Sequence, residues 1–200
     1  VVITIANRYG SGALGIAKRV AERLGYEYVD EQLPVVVARR LQTSPEAVES
    51  AEDIGRTMSE RMLHSLEMGT PEVRSDAGPS FDEECLREVQ EAVREYAAHG
   101  NTVIVGRGGQ AILGRGPGIL RVFMGAPREW RIRHLMDGVG VDEKTATAEI
   151  DRIDRARRDY LRAYYDLEWG DPGNYDLVLD TSTFDVETAA DLIVRAAGER

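Results

Sequence analysis

The sequence predicts an α/β fold, a single three-layer domain in which a five-stranded parallel sheet carries helices on both faces. Three observations lead there. Short apolar runs of strand length alternate with amphipathic stretches of helical spacing along the chain. The strand runs are nearly all apolar, as strands covered on both sides are. The 200 residues, 42% of them hydrophobic, are enough to bury a full core and contain no internal repeat.

Val1 to Ile5 is β-branched and apolar and predicts the first strand. Gly15 to Leu24 repeats apolar residues at Ile16, Val20 and Leu24, a helical period that Gly25 stops. Tyr26 to Val29 predicts a short second strand ending on Asp30. Glu31 to Leu41 has helical character, as does Pro45 to Met68, although the latter is rich in charge. Gly69 to Ser80, dense in Gly, Pro and Ser, predicts a loop. Ser80 and Glu83 have capping-box spacing, and Leu86, Val89, Val93 and Tyr96 mark one face of the helix that follows, which stops at Gly100. Thr102 to Val105, Ile119 to Met124 and Tyr175 to Leu179 complete the strands. Helices are expected from about Arg128 to Met136, Asp142 to Tyr165 and Val186 to Ala197. In such sheets ligands bind beyond the carboxyl ends of the strands, so the loops that begin at Ala6, Asp30, Gly106, Gly125 and Asp180 are the place to look.

Composition narrows the function. A formal net charge of -10 repels nucleic-acid phosphates and anionic membrane surfaces, so any phosphate site must be a local concentration of cations. One cysteine, Cys85, and three scattered histidines, His64, His99 and His134, offer no disulfide and no protein-built metal cage. No apolar run reaches the roughly 18 to 20 residues that span a bilayer, and the chain opens on a strand pattern instead of a signal peptide, so a soluble cytoplasmic protein is expected. No Gly-x-Ser-x-Gly elbow marks a hydrolase.

The stretch Arg8-Tyr9-Gly10-Ser11-Gly12-Ala13-Leu14-Gly15, between the first strand and the first helix, lies where a phosphate-binding loop would sit. Its glycines would let backbone N–H groups converge on an anion. The pattern GxxxxGK[ST] adds a lysine and a hydroxyl. With Gly10 and Gly15 as the framing glycines, Ile16 and Ala17 fill those two positions; with Asn7 and Gly12 framing, Ala13 and Leu14 do. Neither register supplies the side chains, and a plain strand-to-helix turn would use the same glycines. Arg8 sits inside the loop and is the better surrogate cation, because Lys18 falls about 140° around the helix from Ala13.

Three further segments stand in order with this loop: Asn101 to Leu113 (NTVIVGRGGQAIL), Leu120 to Leu135 (LRVFMGAPREWRIRHL) and Trp169 to Phe184 (WGDPGNYDLVLDTSTF). Together the four resemble the cytidylate kinase-like family, a branch of the P-loop nucleoside monophosphate kinases. The resemblance spans nearly the whole chain and is weakest between about Arg39 and Pro79. It implies the P-loop kinase fold, with an acceptor-binding insertion at about 31–99 and a lid at about 137–168. It favours Gly12 as the framing glycine, and this branch commonly lacks the lysine. Gly106, Arg107 and Gly108 match a Gly-Arg-Asp triplet of the kinases whose acid is here replaced. The resemblance implies that Asp30, Arg107 and Arg131 orient the acceptor nucleotide and that Asp180, Thr181 and Ser182 lie near the adenine side of the donor.

The segment Glu149 to Tyr165 holds Arg152, Arg155, Arg157, Arg158 and Arg162. By period Arg152, Arg155 and Arg158 share a face while Arg157 points elsewhere. Read alone, Asp151 with Arg155 and Asp154 with Arg158 are i,i+4 pairs on a solvated helix, worth about 0.3–0.5 kcal/mol each. By resemblance the segment is the lid, and its Asp154, Ala156 and Arg157 match an Asp-x-Ala-Arg pattern of the branch. Arg157 and Arg158 then rank ahead of Arg152 for neutralising the transferring phosphoryl group, with Arg155 and Arg8 in support. Ile153 stands where the stricter cytidylate kinase lid has an arginine. The tyrosines Tyr160, Tyr164 and Tyr165, with Trp169, read as core or interface aromatics that could also stack on a base. Glu52, Asp53, Glu60 and Glu67 read as a solvated face.

The function so implied is ATP-dependent phosphoryl transfer to a nucleoside monophosphate, a pyrimidine such as CMP or dCMP, with magnesium held mainly by phosphates and water. Residues Arg8 to Gly15 would cradle the donor. Small-molecule nucleotides are the expected partners, with no nucleic acid or membrane, and a homodimer stays open. Two other readings share the same residues: a catalytically silent nucleotide-binding or sensor protein, and a kinase for another small acceptor.

Overall fold

The β-branched run at the start of the chain forms the centre of the sheet. The computed structural model describes residues 1–30, 32–52 and 81–200. In it β1 (Val2–Asn7) leads through α1 (Ala13–Leu24) to β2 (Glu27–Val29), then α2 (Gln32–Arg40) and α3 (Pro45–Glu52). α4 (Phe81–His99), β3 (Thr102–Val105), α5 (Gly109–Leu113) and β4 (Ile119–Gly125) follow. The chain continues through α6 (Arg128–Val139), α7 (Glu143–Tyr165), a 3-10 turn (Pro172–Asn174) and β5 (Leu177–Asp180) to α8 (Val186–Gly198). The strands lie in the order β2-β3-β1-β4-β5, and every pair is parallel. Val2 stands opposite both Thr102 and Ile119, so β1 is paired on both edges and all six of its residues are buried.

The five-stranded parallel sheet is the one the sequence predicts. On one face, Ile3 and Ile5 pack with Ile16 and Val20 of α1 and Ile193 of α8. On the other, Val29 and Ile104 pack with Leu33, Val37, Val48, Val89 and Val93 of α2, α3 and α4. Each of these fully buried aliphatic side chains contributes about 1.5–3 kcal/mol by leaving water. No helix among the described residues is long and apolar enough to cross a membrane.

Several boundaries differ from expectation for local reasons. β1 runs on to Asn7, because its ladder with β4 continues to the Asn7–Met124 pair. α1 starts at Ala13, not Gly15, because Gly12 is already its left-handed N-cap. β5 starts at Leu177, since Tyr175 closes the 3-10 turn instead of pairing. α6 extends to Val139 and ends on left-handed Gly140. α5 was not foreseen, being five residues long with a glycine on each side. Of the helix expected from Pro45 to Met68, α3 is the described part. The Gly69 to Ser80 loop with its capping serine, and Asp53, Glu60, His64 and Glu67, lie outside the described residues.

A charge pair fixes the residue that leads into β5 to β4. Arg121 donates from Nε and Nη2 to the two carboxylate oxygens of Asp176 at 3.1 and 3.0 Å, and its backbone N–H donates to Oδ2 at 3.0 Å. Arg200 approaches the same carboxylate at 3.0 Å. These cations and the backbone donor hold the Asp176 carboxyl down at about 2.

Candidate functional site

Strand order places the glycine loop at the centre of the carboxyl edge, where the chain turns to opposite sides of β1. Gly12 takes φ of 72° as the N-cap of α1, a conformation that leaves the first-turn N–H groups facing outward without a side-chain cap. The positions that would carry a lysine and a hydroxyl in this register hold Ala13, which is buried, and Leu14, which is exposed. Gly15 follows within the first turn of α1.

The loop is fastened from three sides. Thr181 donates its hydroxyl to the Ser11 carbonyl at 2.7 Å and lies 3.0 Å from the Gly125 carbonyl, tying the loop to the ends of β5 and β4. The Ser11 side chain is buried, and its Oγ has no partner among the described residues. From α6, Leu135 and the Arg131 carbonyl come so close to Gly10 that a Cβ there would meet them at 3.1 and 3.2 Å. From α7, Asp154 accepts the Tyr9 N–H at 2.9 Å, while Glu149 accepts the Tyr9 hydroxyl at 3.2 Å. Burial and the nearby Glu149 raise the Tyr9 phenol above its ordinary value. Arg8 lies across the end of β4, with its guanidinium 5.8 Å from the Trp169 ring centroid.

Beside the loop a cavity of about 550 Å³ opens between the strand ends and α7. Asn7, Asp30 and Arg107 line it from the sheet, Glu49 from α3, and Arg152, Arg157 and Tyr160 from α7. Arg157 donates to the Asn7 carbonyl at 2.5 Å. Burial lowers the Arg157 guanidinium, Asp154 counteracts this, and the positive field of Arg107 adds to the lowering. Burial likewise lowers Arg107, against Asp30 and Glu49. Two guanidinium groups thus share one partly desolvated pocket with the carboxylates of Asp30 and Glu49, a cluster of fixed cations that a phosphate dianion would complement. Asp30 accepts from the Tyr28 hydroxyl at 3.0 Å at the rim.

The residues marked in the sequence are thus distributed unevenly. Asp30, Arg107 and Arg157 share the cavity, and Leu14 reaches it. Arg155 and Arg158 are exposed and do not line it, whereas Arg152 does. The reason is the face that α7 presents, set by Ile153, Ala156, Tyr160 and Leu161 at helical spacing, which carries Arg157 inward with it. Arg131 is buried away from the cavity lining, donating to Asp154 at 2.8 Å, Tyr9 O at 2.9 Å and Ala126 O at 3.1 Å. Asp151 and Asp154 also depart from the expected i,i+4 pairing. Asp151 is paired with Arg128 and Asp154 with Arg131, so both reach across to α6 instead of along α7. That choice depends on how closely two helices approach, which sequence spacing does not contain.

Gly108, which the resemblance aligns with an acid, stands in a crowded place. Gly106, Arg107 and Gly108 have φ of 72°, 55° and 69°, three left-handed residues in a row. A Cβ on Gly108 would meet Tyr165 at 3.1 Å, Tyr160 at 3.3 Å and Leu161 at 3.4 Å. The two phenols beside it have hydroxyls 3.4 Å apart, with Gln90 donating to Tyr165 at 3.3 Å. Gly108→Ala is expected to destabilise the fold by about 1–2 kcal/mol, through left-handed strain and displacement of Tyr165. Urea denaturation of the two proteins measures it. Sequence reasoning missed Gln110 and Glu49 as cavity residues and Asp154 as a loop anchor. For Asp154 the signal was there, three residues before Arg157.

Comparison with known proteins agrees with this architecture. Residues 2–183 match the sequence model of the cytidylate kinase-like family. A cytidylate kinase of Methanopyrus kandleri is 28% identical over 190 residues, covering 91% of this chain and 85% of that one. A shorter match, 34% over 92 residues, is to a uronate isomerase of Corynebacterium glutamicum and covers 46% of this chain but only 18% of that protein. Among solved structures, an uncharacterized protein of Eubacterium ventriosum superposes with a TM-score of 0.72 at 24% identity, covering 100% of this chain and 99% of its own. A shikimate kinase of Bacteroides thetaiotaomicron does so at 0.50 and 15%, over 98% and 97%.

Proposed function

The chain belongs to the cytidylate kinase-like family, and from that premise we propose that it transfers the terminal phosphoryl group of ATP to a nucleoside monophosphate, a pyrimidine such as CMP or dCMP. The observation that carries this reading is the pair of half-buried guanidinium groups, Arg107 and Arg157, facing one cavity beside the glycine loop. Arg107 binds the acceptor phosphate, with Asp30 at the rim orienting the rest of the acceptor. Arg157 bridges the two substrates and neutralises charge on the migrating group. The outward N–H groups of Gly12 to Gly15 cradle the donor phosphates, and Arg8 stands in for the absent lysine. Magnesium, held mainly by phosphates and water because Leu14 offers no ligand, would supply further neutralisation of phosphate charge. No covalent intermediate is required, because positioning and electrostatics carry phosphoryl transfer. We assign the whole chain to one domain, with the acceptor-binding insertion at about 31–99 and the lid at about 137–168.

The silent-binder reading has its own support. Ala13 and Leu14 supply no charge or metal ligand, and the Tyr9 N–H is already committed to Asp154. An ADP-release assay across monophosphates, with ATP calorimetry beside it, separates the two. Turnover highest with CMP or dCMP is the expected result; ATP binding without turnover on any acceptor overturns it in favour of a silent binder. Arg8→Ala is expected to weaken ATP about tenfold, the scale of one charged hydrogen bond. An unchanged dissociation constant removes Arg8 from the surrogate role.

A further inference from the structure

We infer that Asp154 is a positioning residue for the transfer site, holding the glycine loop and Arg157 in one fixed relation; this rests on the kinase reading above. Its two oxygens serve different partners. Oδ1 accepts the Tyr9 N–H at 2.9 Å and Oδ2 accepts Arg131 Nη1 at 2.8 Å. The same Arg131 nitrogen donates to the Tyr9 carbonyl at 2.9 Å, so both backbone groups of Tyr9 are bracketed by one ion pair. The pair is almost wholly out of water, with side-chain exposures of 4% for Arg131 and 8% for Asp154.

Such a pair is a poor device for stability alone, because desolvating two charges offsets most of their attraction. Its geometry suits registration. Asp154 and Arg157 are three residues apart on one face of α7. One holds Tyr9 and the other holds the Asn7 carbonyl, so the helix grips the exit of β1 at two points. Both of these contacts are to backbone atoms, so they fix α7 against the loop itself, whereas Glu149 holds only the Tyr9 side chain. The guanidinium of Arg157 is therefore set relative to the loop by the carboxylate one turn before it. Only a carboxylate has two acceptor oxygens for an N–H and a guanidinium with no donor to conflict with either.

Asp154→Asn and the double variant Arg131→Met/Asp154→Leu test this together. The double variant removes both buried charges, so it keeps a folded protein where the single change leaves Arg131 unpaired. Thermal stability, amide exchange of Tyr9 and Gly10, and kcat and KM for both substrates are measured. In both variants exchange at Tyr9 is expected to rise about tenfold or more. In both, kcat is expected to fall about 100-fold with acceptor KM little changed, the cost of misplacing a group by about 1 Å. In the double variant the fall in kcat persists although the melting temperature stays near the parent's. A double variant with the parent's kcat, or unchanged Tyr9 exchange, overturns the inference. Should the parent itself show no turnover with any monophosphate, the kinase reading fails, and the exchange measurement alone decides whether Asp154 holds the loop.

Discussion

Arg157→Ala is expected to lower kcat/KM for phosphoryl transfer by roughly 10³-fold, the lower end of what a single arginine at a transferring phosphoryl group contributes. The side chain reaches the cavity from α7, touches the exit of β1 and shares its pocket with Arg107. Removing it takes away charge that is felt most as the phosphoryl group leaves the donor, so kcat falls further than either KM rises. Arg157→Lys is expected to recover only part of the loss. An ammonium cannot hold the Asn7 carbonyl and a phosphate oxygen with one planar fork. Steady-state kinetics with calorimetric binding of each substrate reads the result. Wild-type kcat in the alanine variant would place the chemistry elsewhere.

Asp176→Ala is expected to destabilise the fold by about 3–5 kcal/mol, since it leaves Arg121 desolvated in β4 without its bidentate partner. Guanidinium denaturation at neutral pH measures this. The same residue predicts an acid limb. Its folded carboxyl lies at about 2, below the ordinary value near 3.8. It therefore adds stability that is present above about pH 4 and is lost as pH falls toward 2, amounting to about 2 kcal/mol. The alanine variant has no such group, so the gap between the two proteins narrows as the pH falls from 4 toward 2. A gap that stays constant over that window would show that Asp176 titrates normally.

The architecture was legible because it follows from periodicity. Strands at Thr102, Ile119 and Leu177, and helices between them, are written in runs of Val, Ile and Leu that have few other uses. The cavity also opens where parallel sheets bind ligands, at the carboxyl ends of the strands. Side-chain partners were not legible. Asp151 and Asp154 have arginines at ideal helical spacing and make their ion pairs with α6 instead. Arg131 carries no mark that separates a loop brace from a ligand contact. Arg121, a charge in the middle of an apolar strand, is explained by Asp176, which lies 55 positions later and meets it only in the folded sheet. Contacts of that separation belong to tertiary geometry, and a reading of neighbours along the chain does not reach them.

The packing of Gly108 against Tyr160 and Tyr165 constrains the order in which this loop could change by successive mutation. An acid introduced at residue 108 enters a left-handed site whose Cβ alone already presses on a phenol ring at 3.1 Å. Tyr165 has to shift or shrink to admit it, and the left-handed backbone adds its own cost to folding. Shrinking Tyr165 first empties a pocket beside Gln90 and loosens the aromatic cluster, a penalty recovered only when residue 108 grows. The two positions therefore form a lock between alternative versions of the site, and neither step off the present version is neutral alone.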